Sequence, residues 1–411
     1  MQKSASYDIR MLERRTSQLM EWGNDLESGK LSFEMAIRKF DSKSKLIQES
    51  FERIINHESF LPLIPSSEVD ALLVAFCLAS ARFYLHRHSP EKRQRLYESA
   101  LESASRLGNQ FGLSRLYSIL GSAFSGQHLF HPAKECFEAS LDISSNEIEP
   151  KQLIETLGNL GNVYGRLNDT QKAFQYQFQA LSIATKECSQ MRSKLLCSIG
   201  WSYRHKGNWE KAMDYFQKSA NEATDVIDEG YALGSLGSTY RQTGDRENAE
   251  KCLLQRIILA RQINDTEGER NSLGCLGSVY SDAGRYPEAW KCHNDALTLS
   301  RKRHDIGGEA IDINNLGDVL FKQGNIENAI AQYKRAIDLF HSAGNSLREG
   351  ICLKNIAICY GDTHNYELAI PAGRKAIQVL RNSEKSSDRI NEIEEMIQKW
   401  TKQLSIQEIE K

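Results

Sequence analysis

A chain that repeats one spacing along most of its length has few folds open to it, because each copy must build the same unit and stack on the same kind of neighbour. Here the spacing is carried by an aromatic residue or leucine after a recurring Leu-Gly pair: Phe124, Tyr164, Tyr203, Tyr240, Tyr280, Leu320 and Tyr360, with Tyr84 in a weaker leading copy. The intervals are 40, 40, 39, 37, 40, 40 and 40 residues. Nine positions after the anchor stands alanine in all copies but the first: Ala133, Ala173, Ala212, Ala249, Ala289, Ala329 and Ala369. Three positions before it stands glycine (Gly121, Gly161, Gly200, Gly237, Gly277, Gly317), with Ala81 and Ala357 in the outer copies. One helix approaches another closely only where a side chain is missing, so glycine's helix penalty of about 1 kcal/mol is tolerated there.

Between anchor and alanine lie turn formers, Gly207-Asn208, Gly244-Asp245, Gly284-Arg285 and Gly324-Asn325, suited to left-handed backbone at a helix end. Each copy therefore reads as helix, tight turn, helix. Pro90, Pro132 and Pro287 fall in the first turn of a second helix and Pro150 precedes a first helix, where a missing N–H costs little. Pro371, followed by Gly373, falls deeper in a helix, and a local kink is expected there.

The Leu-Gly-x-x-Tyr, Gly-Asp/Asn and paired alanine columns resemble the tetratricopeptide-repeat (TPR) motif over about residues 68 to 381. The period near 40 and runs such as 260–270 are similar to the longer-repeat subgroup containing the LGN/Pins adaptor. The resemblance implies an all-α fold, a right-handed α-α superhelical solenoid of helix pairs with helical caps at both ends. Residues 1–60 would be an N-terminal helical segment, cap or effector, with Phe33, Ile37, Phe40, Ile47, Phe51 and Ile54 at helical spacing. Residues 61–67 would be a linker, 68–381 eight repeats, and 384–411 a capping helix whose stripe is Ile390, Ile393, Met396, Ile397, Trp400 and Leu404.

In TPR proteins the first helix of each pair lines the concave surface, and the resemblance carries this onto the non-core positions of the first helices here. In the earlier repeats these are Asn159, Asn162, Arg166, Lys194, Trp201, Arg204 and His205. In the later ones they are Tyr231, Arg241, Asn314, Asn315, Asp318, Lys322 and Asn355. The middle of this series is basic and aromatic, which suits an acidic partner segment with an apolar anchor, because arginine forks pair bidentately with carboxylates. The asparagines offer donor and acceptor together to an extended backbone. The carboxylate clamp of chaperone-binding TPR domains needs lysine and asparagine columns in successive repeats; Asn162 fits and Ser198 does not, so chaperone-tail binding is not expected.

Lysine and arginine number 52 against 54 acidic residues, so no global field draws the chain to nucleic acid or anionic membrane. No run approaches the roughly 18 apolar residues of a spanning helix, and the first residues lack a signal core. Nine cysteines without a CxxC pair read as reduced helix residues in the cytoplasm. No phosphate-loop, HExxH or GxSxG motif occurs, and His293 beside Cys292 lacks further ligands at metal spacing, so neither catalysis, cofactor nor metal is expected. The expected function is a scaffold or adaptor binding a protein or peptide in the groove. The alternative is a peptide-responsive TPR regulator with the N-terminal helices as output. Solenoid ends and outer faces could also self-associate.

Overall fold

Helices form where the forty-residue pattern places them, and the turn inside each described repeat is made by a residue at a fixed position. The computed structural model describes residues 90–143, 149–184, 189–381 and 386–410, with scattered helical positions within 14–21 and 70–78. The expectations for residues 1–60 and 61–67, and for Ala81 and Tyr84, lie outside the described residues. Among the described residues every element is helical, and the chain divides between Lys206 and Gly207 into two compact units.

Unit 1 contains α1 (Pro90–Arg106), α2 (Gln110–Gly126), α3 (Phe130–Asp142), α4 (Pro150–Arg166), α5 (Thr170–Ile183) and α6 (Ser189–His205). Unit 2 contains α7 (Trp209–Glu222), α8 (Val226–Thr243), α9 (Arg246–Gln262), α10 (Thr266–Asp282) and α11 (Tyr286–Lys302). It continues with α12 (Ile306–Lys322), α13 (Ile326–Ser342), α14 (Ser346–Asp362), α15 (Tyr366–Leu380) and α16 (Ser387–Glu410).

Four residues after each anchor the backbone is left-handed: Gly207, Gly244, Gly284 and Gly324, as the sequence predicts, and also His128, Asn168 and His364. A second left-handed column closes the turn between repeats at Gly108, Asn264, His304 and Gly344. The following residue caps the next helix in many copies. Asp169, Asn208 and Asp245 accept from the third backbone N–H of α5, α7 and α9, and Asn109, Asp225, Asp265, Asp305 and Asn345 do so for first helices. Each such cap contributes about 1 kcal/mol.

The glycine column does what its spacing implies. A Cβ on Gly121 would lie 2.9 Å from the Phe137 ring, on Gly237 2.9 Å from Leu253, on Gly277 2.7 Å from His293 and on Gly317 2.7 Å from Tyr333. Each glycine is thus a notch on a first helix, filled by the residue thirteen positions after the anchor on the second helix of the same repeat. The alanines at plus nine are fully buried in the same seam.

Within each unit consecutive helices pack in pairs, and first helices of successive pairs also touch: α2 with α4 and α4 with α6 in unit 1, α8 with α10 and α10 with α12 in unit 2. The first helices therefore form one layer and the second helices the other, held mainly through the first. Unit 2 ends on α16, whose Ile393 and Trp400 are buried against α14 and α15. Gly361 abuts the Trp400 indole, and Gly373 leaves room for Ile397 and Ile393. The small residue after Pro371, read from sequence as a departure from pattern, is thus the seat of the terminal helix. The α15 helix runs through Pro371 from Tyr366 to Leu380.

Candidate ligand-binding face

On the first-helix layer the positions not used for packing run along one side of each helix, at intervals of three or four residues. In unit 1 these include Asn159, Asn162 and Arg166 on α4 and Lys194, Trp201, Arg204 and His205 on α6. The Trp201 ring is 40% exposed, the Arg204 guanidinium lies 4.8 Å from its centroid and the His205 ring 6.2 Å away. Burial, then Arg166 and Arg204, push the His205 imidazole below its ordinary value. Asn162 is used internally: its Oδ1 accepts from the Ser198 hydroxyl and, at 3.2 Å, from Gln177 Nε2. Asn159 donates weakly to Ser122 at 3.5 Å.

In unit 2, Tyr231 stands at the start of α8 with 63% of its surface exposed, its ring 5.7 Å from the guanidinium of Arg256. Arg256 occupies the second-alanine column, where Ala296, Ala336 and Ala376 stand in the later repeats. It is buried, bonded at 2.5 Å to Asp265, and fits because Gly230 and Gly268 lack side chains. Arg241, Asn315, Asp318, Lys322 and Asn355 come together from α8, α12 and α14 around one cleft of roughly 670 Å³, part of it open solvent.

Asp282 and His293 also line the cleft and were not among the groove positions expected from sequence. Asp282 on α10 accepts from Arg241 Nε at 3.1 Å and from Lys322 Nζ at 2.8 Å. Its partial burial would raise its carboxyl, but Lys322 and Arg241 outweigh that and hold it below the usual carboxylate range. His293 on α11, only 1% exposed, lines the cleft, and burial with Arg241 and Lys322 nearby lowers it to about 4. Asp282 was visible as the counterpart of Lys322 one repeat earlier, an acid in a column otherwise read for its cations.

The asparagines divide by use. Asn314 donates to Asp318 at 3.3 Å and accepts from Cys352 Sγ at 3.2 Å. Asn355 Nδ2 donates to Asp318 at 3.3 Å and to Asn314 at 3.4 Å. Asp318 also accepts from the Tyr333 hydroxyl at 2.7 Å, and burial raises its carboxyl. Asn315 lines the cleft and makes no side-chain hydrogen bond among the described residues. In unit 2, Arg241, the last cation of the basic middle of the series, shares an acid with Lys322.

A family model described as tetratricopeptide repeat matches residues 152–221 and 309–382, and a second matches residues 232–267. The chain carries tetratricopeptide repeats. No curated protein matches it. Its TPR units are similar to a solved Rap protein complexed with Competence and Sporulation Factor, at 15% identity and TM-score 0.55 over 93% of this chain and 99% of that one. They are similar also to the apo quorum sensor NprR from B. thuringiensis (16%, TM-score 0.60, 90% and 99%) and to aspartyl phosphate phosphatase F from Bacillus subtilis (16%, TM-score 0.56, 89% and 93%). At such identities the likeness is one of fold. Among the described residues no TPR helix is long and apolar enough to cross a membrane.

Proposed function

We propose that this TPR chain is a receptor for an extended polypeptide segment, a short peptide or a stretch of a partner protein, laid along the first-helix face. One observation carries the reading most directly. Asn315 and Asn355, forty residues apart on successive first helices, line one cleft, the first with its amide unengaged and the second with its carbonyl oxygen unengaged among the described residues. Amides so spaced can accept and donate to a backbone whatever its side chains. In unit 1 the Trp201, Arg204 and Arg166 group supports the finer reading of an acidic segment with an apolar anchor, since an aromatic supplies area at low entropic cost.

A second reading, regulation by the bound peptide with the N-terminal residues as output, draws support from the whole-length likeness to structures described as a Rap protein with its bound factor and as a quorum sensor. The two readings share the receptor face. They separate on deletion of residues 1–60, which leaves peptide capture intact in an adaptor and abolishes the downstream response in a regulator. The receptor reading itself is tested by selecting displayed random peptides on the full-length protein and on its Asn315→Ala/Asn355→Ala variant. Enrichment on the wild type and its loss on the variant, at unchanged helical content, is the expected result. Equal enrichment on both would remove the asparagines from the site.

A further inference from the structure

A second groove lies at the end of unit 2, between α15 and α16, and shares no residue with the first-helix face. It spans roughly 780 Å³, part of it open solvent, with Arg374, Gln378 and Arg381 on the α15 wall and Glu394 and Gln398 on the α16 wall. Its apolar lining is the buried Ile377 and the half-buried Ile397. The five polar side chains are exposed, and none makes a hydrogen bond or ion pair among the described residues. Four exposed cations on earlier second helices of unit 2 have their acids supplied by register. Lys218 pairs with Asp214 and Lys251 with Glu247, four residues earlier, and Arg261 pairs with Glu269 and Arg301 with Glu309, eight residues later. For Arg374 the place four earlier holds Ile370, and for Arg381 the place eight later holds Arg389. Beyond Glu367, α15 carries no acid.

We propose that this groove docks an amphipathic helix of a partner protein, separate from any segment held on the first-helix face. The helix presents two acids seven residues apart to Arg374 and Arg381, an apolar residue between them to Ile397, and a base on its other flank to Glu394. Seven residues make two turns, about 10 Å, on receptor and ligand alike, so both ion pairs fall in register when the helix lies along α15. A helix packed at about 8–10 Å from its neighbours covers the isoleucines and leaves the charges at a wet rim, where they choose the partner and speed its arrival. Glu394 on the facing wall sets this occupant apart from a phosphate chain or an anionic bilayer, which would offer negative charge to both walls. The near balance of 52 basic and 54 acidic residues supplies no long-range field for either.

A displayed library of random fifteen-residue helical peptides, selected on immobilised full-length protein, tests this. Parallel selections use the Arg374→Glu/Arg381→Glu and Asn315→Ala/Asn355→Ala variants. One set of clones should be kept by the wild type and the asparagine variant, lost on the charge-reversed variant, and marked by Asp or Glu at positions i and i+7. Synthetic peptides of that set should bind the charge-reversed protein about tenfold more weakly by fluorescence polarisation, the span expected when two exposed ion pairs become two repulsions. Lysine at both acid positions of the peptide should restore binding to that variant. Both arginines are exposed, so helical content should not change, and Arg374→Gln/Arg381→Gln should give the same ordering at smaller amplitude. Absence of arginine-dependent clones, or dependent clones without the acid spacing, overturns the proposal and leaves the receptor reading of the first-helix face standing. Arginine-dependent capture of a single-stranded oligonucleotide, or of phosphatidylcholine vesicles containing phosphatidylserine, overturns it as well and assigns the arginines to a polyanion.

Discussion

His293 fills the Gly277 notch with an imidazole where Phe137, Leu253 and Tyr333 fill the equivalent notches with apolar or phenolic side chains. Burial keeps it neutral, and its Nδ1 has no hydrogen-bond partner among the described residues. The sign of the resulting pH dependence follows from linkage. The folded value, about 4, lies below the ordinary value of 6.5, so the contribution to stability is complete above about pH 6.5. It is lost as the pH falls towards 4, because only the unfolded chain takes up the proton. Between about pH 7.5 and about pH 5 this loss comes to roughly 2 kcal/mol. His293→Leu, the residue used in the preceding repeat, should remove that part of the acid sensitivity. Urea melts of both proteins at the two pH values check it, and parallel losses in wild type and variant would refute the assignment.

At the scale of the element, the notch decides what a glycine is worth. Gly317 and Gly274 both lie inside first helices, and alanine in either would gain up to about 1 kcal/mol of helix propensity. At Gly317 the added methyl would sit 2.7 Å from the Tyr333 ring, whereas at Gly274 nothing lies within 4 Å. Gly317→Ala should therefore destabilise by about 1–3 kcal/mol through overpacking, and Gly274→Ala should be neutral or stabilising. Chemical denaturation of the two variants separates packing from propensity, and a stable Gly317→Ala protein would contradict the notch. This pairing also marks how far the sequence could be read. The anchor, alanine and glycine columns placed the helices and the intra-repeat turns, because those constraints recur in most copies. The adaptor subgroup is a finer statement than the matched models make. His128, Asn168 and His364 escaped notice as left-handed turn residues because they lack glycine's signature while adopting the same backbone. In the candidate site the asparagine and cation positions were legible from their register, and so was the place of Asp282 in the Lys322 column, but the parts that Asp282 and His293 play there were not. Their roles depend on which side chains meet across neighbouring repeats, and a column read for one charge hides its counter-ion.

For the molecule as a whole, repeats that contact chiefly their sequence neighbours make stability a sum of local terms rather than one cooperative core. The buried residues accordingly fall into several clusters strung along the chain, the last of them built around Trp400, Ala357, Ala369 and Ile370. Truncating Trp400 should be both costly and local. Trp400→Ala removes an indole that is 8% exposed and packed on the backbone notch at Gly361, a change that costs about 3–5 kcal/mol in a close-packed site. Because α16 packs on the last helix pair, the loss should appear as faster amide hydrogen exchange in α14, α15 and α16, fading through α12 and α13. Exchange in α2 to α5 of unit 1 should stay at the wild-type rate, since the cluster that holds Trp400 is built from α14, α15 and α16. Hydrogen exchange read by mass spectrometry resolves these segments directly. Uniform acceleration along the chain would mean that the repeats unfold as one body, and the additive picture drawn from their contacts would then be wrong.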